Sequence, residues 1–264
     1  MINIQKYVRA QSLEEAYTLN QKKKNRILAG MLWTRMESGN VPVAIDLCDL
    51  GLDKIEENEE EFSIGAMVTL RKLQMHESFE NYCDGIVAKA VKDIIGVQFR
   101  NLATVGGSIW GRFGFSDVLT AFMALDTYVE LYKGGVIPLE QFARMQYDRD
   151  LLVRVIVKKK PGVFSYQAMR AQKTDFPILT CGVSRMDGVC KAVIGARPGK
   201  AVCIHDDRHL LDGEVTEKKA EAFAEYVAEQ VTTGSNMRGS AEYRTHLVKI
   251  LTERGVVELG GVRA

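Results

Sequence analysis

A chain of 264 residues, 46% hydrophobic and 26% charged, has the composition of an ordinary soluble protein and enough length for a sizeable core. Lys plus Arg number 35 against 34 Asp plus Glu, so net charge gives no drive toward nucleic acid or an anionic membrane. No apolar run is long enough to span a bilayer, and Met1 to Tyr7 lacks the basic-then-apolar pattern of a leader, so the expected location is the cytoplasm.

In chain order, Ser12-Leu13-Glu14-Glu15 is a capping-box start, and Leu13, Ala16, Tyr17 and Leu19 predict a first helix to about Lys22. Arg26 to Gly30 reads as a strand stopped by glycine, and Val43 to Leu47 as the next, which makes a small β-α-β-like opening unit. The acidic stretch Glu56 to Glu61 reads as a solvated loop between units. Phe62 to Ala66 is a strand, and Thr69 caps a helix from Leu70. Ile86 to Ile95 carries Val87, Ala90, Val91 and Ile94 on one helical face, and a further helix is expected near Ser116.

Strands follow at Tyr128 to Tyr132, Val136 to Leu139 and Leu151 to Val157, with Gly134-Gly135 as a plain turn. Beyond Lys158-Lys159-Lys160-Pro161-Gly162 come strands and then helices. Ile178 to Arg185 and Val189 to Ile194 flank the hairpin turn Met186-Asp187-Gly188, and Lys218 to Val231 is an amphipathic helix. Ser240 caps a last helix whose stop is expected at Gly255, and Gly260-Gly261 reads as another turn.

The five cysteines are scattered and form no C-x-x-C, so buried free thiols are expected rather than disulfides or a cluster site. His205 and His209 have the spacing of a helical metal pair, but Asp206-Asp207 and Gly213 place them in an exposed turn, and no metal is expected.

Two glycine segments bear on function: Ala29-Gly30, and Thr104-Val105-Gly106-Gly107-Ser108. Glycine lets backbone N–H groups approach phosphate oxygens, and Thr104 and Ser108 add hydroxyl donors. Asp117 is spaced to accept from a sugar hydroxyl or a ring N–H. The other reading of Gly106-Gly107 is close packing of a strand on a helix.

Phe99-Arg100-Asn101-x-Ala103-Thr104-Val105-Gly106-Gly107-Ser108, with Ser116-Asp117 and Leu125-Asp126 after it, resembles the second FAD motif of the molybdopterin dehydrogenase FAD-binding subunits. The resemblance extends upstream to Ile64 to Leu70 and downstream to Ser240-Ala241-Glu242-Tyr243-Arg244, covering nearly the whole chain. It implies an α+β protein with the vanillyl-alcohol-oxidase-like FAD-binding fold: two α/β units over residues 1–55 and 56–160, then a C-terminal domain of antiparallel sheet and helices over 161–264.

By the same resemblance, FAD lies between the first two units, held by Ala29, Gly30, Met31, Leu32, Trp33, Thr104, Gly106, Gly107, Ser108 and Asp117, with Leu151 or Leu152 near a ring. The implied function is that of the medium subunit of a molybdenum hydroxylase of the xanthine dehydrogenase or carbon monoxide dehydrogenase type. Electrons arrive from 2Fe-2S clusters of an iron–sulfur subunit, the molybdenum cofactor sits in a molybdopterin-binding subunit, and NAD or another acceptor takes the electrons.

Two departures from the family pattern stand out. The first motif usually reads Ala-Gly-Gly-Thr-Asp, whereas here Met31 puts a side chain where glycine is usual and Leu32 lacks a hydroxyl. Gln167 stands where relatives often carry Lys or Arg. The alternative function is therefore an assembly subunit that keeps the fold with weakened FAD binding. Trp33 reads either as a core or interface aromatic or as a cover over the cofactor.

Overall fold

The computed structural model describes residues 1–260. Gly261 and the end of the last predicted unit lie outside the described residues. The N-terminal strands are short and parallel: β1 (Ile2–Ile4) pairs with β4 (Gly39–Val41), while β2 (Tyr7–Arg9) and β3 (Arg26–Leu28) flank β5 (Ala44–Asp46). Between β2 and β3 runs α1 (Leu13–Asn20), capped by Ser12, whose hydroxyl accepts the Glu15 N–H. The helix ends at Asn20 rather than Lys22, because the Arg149 guanidinium closes its end with donors to the carbonyls of Asn20, Lys22 and Asn25.

A five-stranded antiparallel sheet follows, ordered β6 (Ile55–Glu57), β7 (Glu61–Gly65), β10 (Leu152–Lys158), β8 (Thr127–Leu131) and β9 (Gly135–Pro138). The acidic stretch is thus not a loop: Glu56 and Glu57 belong to the edge strand β6, and only residues 58–60 turn. Acidic side chains at an edge repel strand addition by another chain. Glu57 also meets Lys159 at 2.7 Å, and Glu61, on β7, meets Lys158.

Short helices fill the long connection from β7 to β8: α2 (Leu70–Gln74), α3 (Glu77–Tyr82), α4 (Ile86–Val91), α5 (Val97–Arg100), α6 (Val105–Trp110) and α7 (Asp117–Ala124). The helix expected to reach Ile95 stops at Val91, and Ile95 itself is left-handed (φ 51°). All eight residues of α7 are buried. α8 (Leu139–Arg144) follows β9.

The C-terminal sheet is β11 (Gly162–Arg170), β12 (Pro177–Met186), β13 (Val189–Gly195) and β14 (Val202–His205), antiparallel in chain order. Asp187 (φ 48°) and Gly188 (φ 79°) form the expected hairpin turn. α9 (Glu217–Gln230) and α10 (Ala241–Leu259) cover one face and α7 the other, which is why Pro177 to Ser184 are buried without alternation. On the α7 side, Thr120 and Thr180 hydroxyls meet at 3.0 Å; on the α10 side, Cys181 faces Thr252.

Gly255 does not end the last helix. A Cβ there would come within 2.6 Å of Val183 Cγ2, so this glycine lets α10 lie close on β12.

Glu80 on α3 is a titratable group in this interior. Its Oε2 accepts the Ala88 N–H at 3.0 Å, its Oε1 is buried without a partner, and burial pushes the carboxyl from 4.5 up to about 7. As pH rises from 4.5 the unfolded chain ionises first while the folded chain stays protonated, so stability falls until about pH 7. Glu80→Gln, neutral throughout, should remove a pH-dependent loss of up to about 3 kcal/mol. Urea denaturation at pH 5 and pH 8 checks this, and an unchanged pH dependence in the variant would refute it.

Candidate functional site

β3 delivers the chain into Ala29 and Gly30, where it runs against the segment before α6. A Cβ on Gly30 would lie 1.9 Å from the Leu102 carbonyl oxygen, so only glycine allows this approach. Met31 is left-handed (φ 57°), Trp33 is right-handed (φ −84°, ψ −45°), and one tight helical turn over Thr34–Met36 follows. The left-handed Met31 and the helical turn starting at Trp33 bend the chain sharply between β3 and Glu37. Among the described residues, the N–H groups of Gly30, Met31, Leu32 and Trp33 meet no acceptor.

The two unusual side chains of this loop are held by apolar cores. Met31 packs on the small core of Leu28, Val41 and Ala44, and Leu32 is buried in the main core. Apolar side chains thus anchor the loop from behind, and its backbone stays free.

The second glycine segment differs from its expectation. Gly106 and Gly107 are not a turn but the first turn of α6, with Thr104 as its cap. Val105 N–H donates to Val68 O and Gly106 N–H to Ala66 O, both at 2.8 Å; Gly107 N–H donates to Thr104 Oγ1 at 3.1 Å. The Ser108 hydroxyl donates to Thr104 O. Donors expected to face a phosphate are therefore engaged within the chain. Gly106 serves the packing role: a Cβ would meet Ala66 O at 2.6 Å. Gly107 is exposed, and its Cβ would touch only Thr104 Oγ1.

Asp117 is also turned inward. Its Oδ1 accepts from the Tyr166 hydroxyl (2.5 Å) and from Arg170, an ion pair buried on both sides that fastens α7 to β11. Burial pushes the Asp117 carboxyl up, against the pull of Arg170 and Tyr166. Leu151 and Leu152 sit in the cores under the first unit and the central sheet. Gln167 donates to Glu258 at 2.8 Å. Of the cysteines, four are buried as expected, but Cys48 is exposed.

Beside the first loop lies a surface cluster the sequence reading missed. Trp33, 46% exposed and so not a core residue, rests against Phe113, Phe115 and Phe176 at centroid distances of 5.9, 6.0 and 6.3 Å. These phenylalanines line a cavity of about 460 Å³ together with Arg112, Lys200 and Arg238. Arg112 is stacked on Phe142 at 4.0 Å and Tyr147 at 4.6 Å, and its Nε and Nη2 are buried without acceptors, as is Nε of Arg238.

Arg112 (φ 41°) and Ala196 (φ 56°), another lining residue, are left-handed, and such strain gathers at ligand sites. The run Arg112-Phe113-Gly114-Phe115 was the available signal: rings two apart around a glycine whose Cβ would strike Gly199 O at 2.1 Å.

Free N–H donors, unpaired guanidinium N–H groups and a wall of rings, adjoining through Trp33, are groups that could receive a ligand both anionic and aromatic, which is the chemistry of a flavin dinucleotide. Residues 2–159 match the FAD binding domain in molybdopterin dehydrogenase, and residues 164–259 match the CO dehydrogenase flavoprotein C-terminal domain. The chain belongs to this family, as an FAD-binding medium subunit of the molybdenum hydroxylases.

Among its relatives, an uncharacterized protein, YgfM, of Escherichia coli K12 is 24% identical over 94% of this chain and 93% of its own length. The nicotine 6-hydroxylase medium subunit of Paenarthrobacter nicotinovorans is 25% identical over 97% of both chains. In fold, a chain of the carbon monoxide dehydrogenase from Hydrogenophaga pseudoflava superposes with a TM-score of 0.86 at 19% identity, over 99% of each chain. A chain of quinoline 2-oxidoreductase from Pseudomonas putida 86 gives 0.84 at 20%, over 98% of each.

Proposed function

We propose that this chain is the electron-transfer subunit of a xanthine-dehydrogenase-type molybdenum hydroxylase, working in the cytoplasm beside an iron–sulfur subunit and a molybdopterin-binding subunit. The supporting observation is the loop Gly30 to Trp33, whose four consecutive N–H groups have no acceptor among the described residues. FAD, when bound, supplies a centre that takes electrons singly from 2Fe-2S clusters and passes a pair as hydride to NAD or another acceptor.

The chain's own part is binding and positioning. The N–H groups of Gly30 to Trp33 would hold the pyrophosphate, and Gly30 brings that loop against the segment leading into α6, whose first turn carries the exposed Gly107. Arg112 and Arg238 offset phosphate charge, while Trp33 and the adjoining phenylalanines keep water from the rings. Asp117 acts indirectly, by tying α7 to β11. No side chain here is assigned as an acid or base, in keeping with a transfer that needs orientation above all. The relatives named as medium subunits support the partner assignment. No helix among the described residues is long and apolar enough to cross a membrane.

The test is flavin content. The intact complex should yield about one FAD per copy of this chain, released by acid because binding is non-covalent. The chain alone, loaded with FAD, should not oxidise a heterocycle. An active complex with flavin well below that ratio would favour the assembly-subunit reading instead.

A further inference from the structure

The sequence drew attention to His205 and His209 as a spaced pair, yet in the fold they diverge: His205 ends β14, and His209 is left-handed (φ 56°) in the turn beyond. His205 instead meets Cys203 and Glu140. Cys203 and His205 are two residues apart on β14, so strand alternation puts both side chains on one face, and α8 brings Glu140 across that face. His205 Nε2 lies 3.5 Å from Cys203 Sγ and 3.3 Å from Glu140 Oε2, and the three ligand atoms fall within 4.8 Å of one another.

Those separations suit one ion. With Zn–S of about 2.3 Å and Zn–N or Zn–O of about 2.0–2.1 Å, tetrahedral angles set S···N near ~3.6 Å and N···O near ~3.4 Å. The two spacings to His205 differ from these by only about 0.1 Å, and Cys203 and Glu140 stand within 4.8 Å of each other, so side-chain adjustment alone can close the set on an ion. We propose that Glu140, Cys203 and His205 form a three-ligand zinc site that ties α8, in the part of the chain matching the FAD binding domain, to β14 of the C-terminal sheet.

The donor types choose the metal. A thiolate and an imidazole favour zinc over magnesium or calcium, and thiolate plus carboxylate neutralise a divalent charge. Cys203 is buried, while the side chains of His205 and Glu140 are 43% and 33% exposed, which gives an ion a way in and leaves room for water as fourth ligand. Arg144 holds the other oxygen of Glu140 at 2.5 Å, fixing the carboxylate with Oε2 toward His205. Lys191, opposite His205 on β13, keeps its ammonium on Leu125 O at 2.9 Å. Its charge holds affinity below that of a closed four-ligand site.

The full-length chain, stripped with chelator, should bind one equivalent of Co²⁺ with a thiolate-to-cobalt charge-transfer band that Zn²⁺ abolishes. Cys203→Ser should lose the band. His205→Ala and Glu140→Gln, both at half-exposed positions that leave the fold intact, should each weaken Zn²⁺ binding at least ~10-fold by calorimetry, a range known for perturbed metal sites. His209→Ala and Cys48→Ser should bind as the parent does. No thiolate–cobalt band in the folded chain, or affinity that depends on His209 or Cys48 rather than His205, would overturn the site. Flavin content is not the readout, so this outcome is independent of the FAD assignment.

Discussion

Gly30→Ala is expected to weaken FAD binding by about 30- to 150-fold, equivalent to roughly 2–3 kcal/mol. The added Cβ would lie 1.9 Å from a backbone oxygen, that of Leu102, and backbone cannot step aside as a flexible side chain would. The loop must lift, and with it the N–H groups of Met31, Leu32 and Trp33 proposed to face the pyrophosphate. Losing even one charge-assisted contact accounts for the lower figure.

Gly107→Ala, whose Cβ would meet only Thr104 Oγ1 at 3.1 Å, should have a smaller effect, and Gly96→Ala, with just Gln98 Oε1 at 3.4 Å, almost none. Fluorescence titration of the apoprotein with FAD measures all three. Parent-like affinity in a folded Gly30→Ala chain would remove the loop from the cofactor site.

The second large effect concerns Arg244, which is fully buried although it is charged. Its Nε donates to Ile178 O at 2.9 Å, Nη1 to Gly234 O at 2.8 Å and Gly239 O at 2.5 Å, and Nη2 to Asn236 Oδ1 at 2.6 Å. Carbonyl and amide oxygens alone receive the guanidinium, and burial lowers its pKa. Arg244→Ala strands those acceptors and opens a cavity, so a loss of about 3–5 kcal/mol is expected.

The same change should reach the cavity proposed to receive the cofactor. Asn236 and Arg238, which line the cavity, belong to the segment Arg244 gathers. Urea unfolding with and without FAD should show both the lower midpoint and a reduced stabilisation by the cofactor. A loss under about 1 kcal/mol would mean that water replaces the guanidinium at little cost.

Helix starts were legible because a cap is local chemistry. Ser12, Thr69 and Ser240 each accept the N–H three residues on, as their positions suggested, and the helix expected near Ser116 starts there. The hairpin at Asp187-Gly188 was legible for the same reason. Three-residue strands such as β1, β2 and β4 are too short to show a period, and the acidic β6 has the composition of a loop. α7 and most of β12 are buried on all sides, and the partners that cover them come from distant parts of the chain.

By itself the sequence determined the family, the α+β class and the two glycine segments, since these rest on residue order and on the residue that alone lacks a side chain. Only the tertiary structure decided which segment has free donors. The N–H groups of Val105 and Gly106 meet the carbonyls of Val68 and Ala66, far upstream, whereas those of Gly30 to Trp33 meet nothing among the described residues. It likewise turned Asp117 to partners 49 and 53 residues away, kept Gly255 inside a helix, and joined His205 to Cys203 and Glu140 rather than to His209. A hydrogen bond or a close contact belongs to two places in the chain at once, and spacing within one segment carries no information about the other.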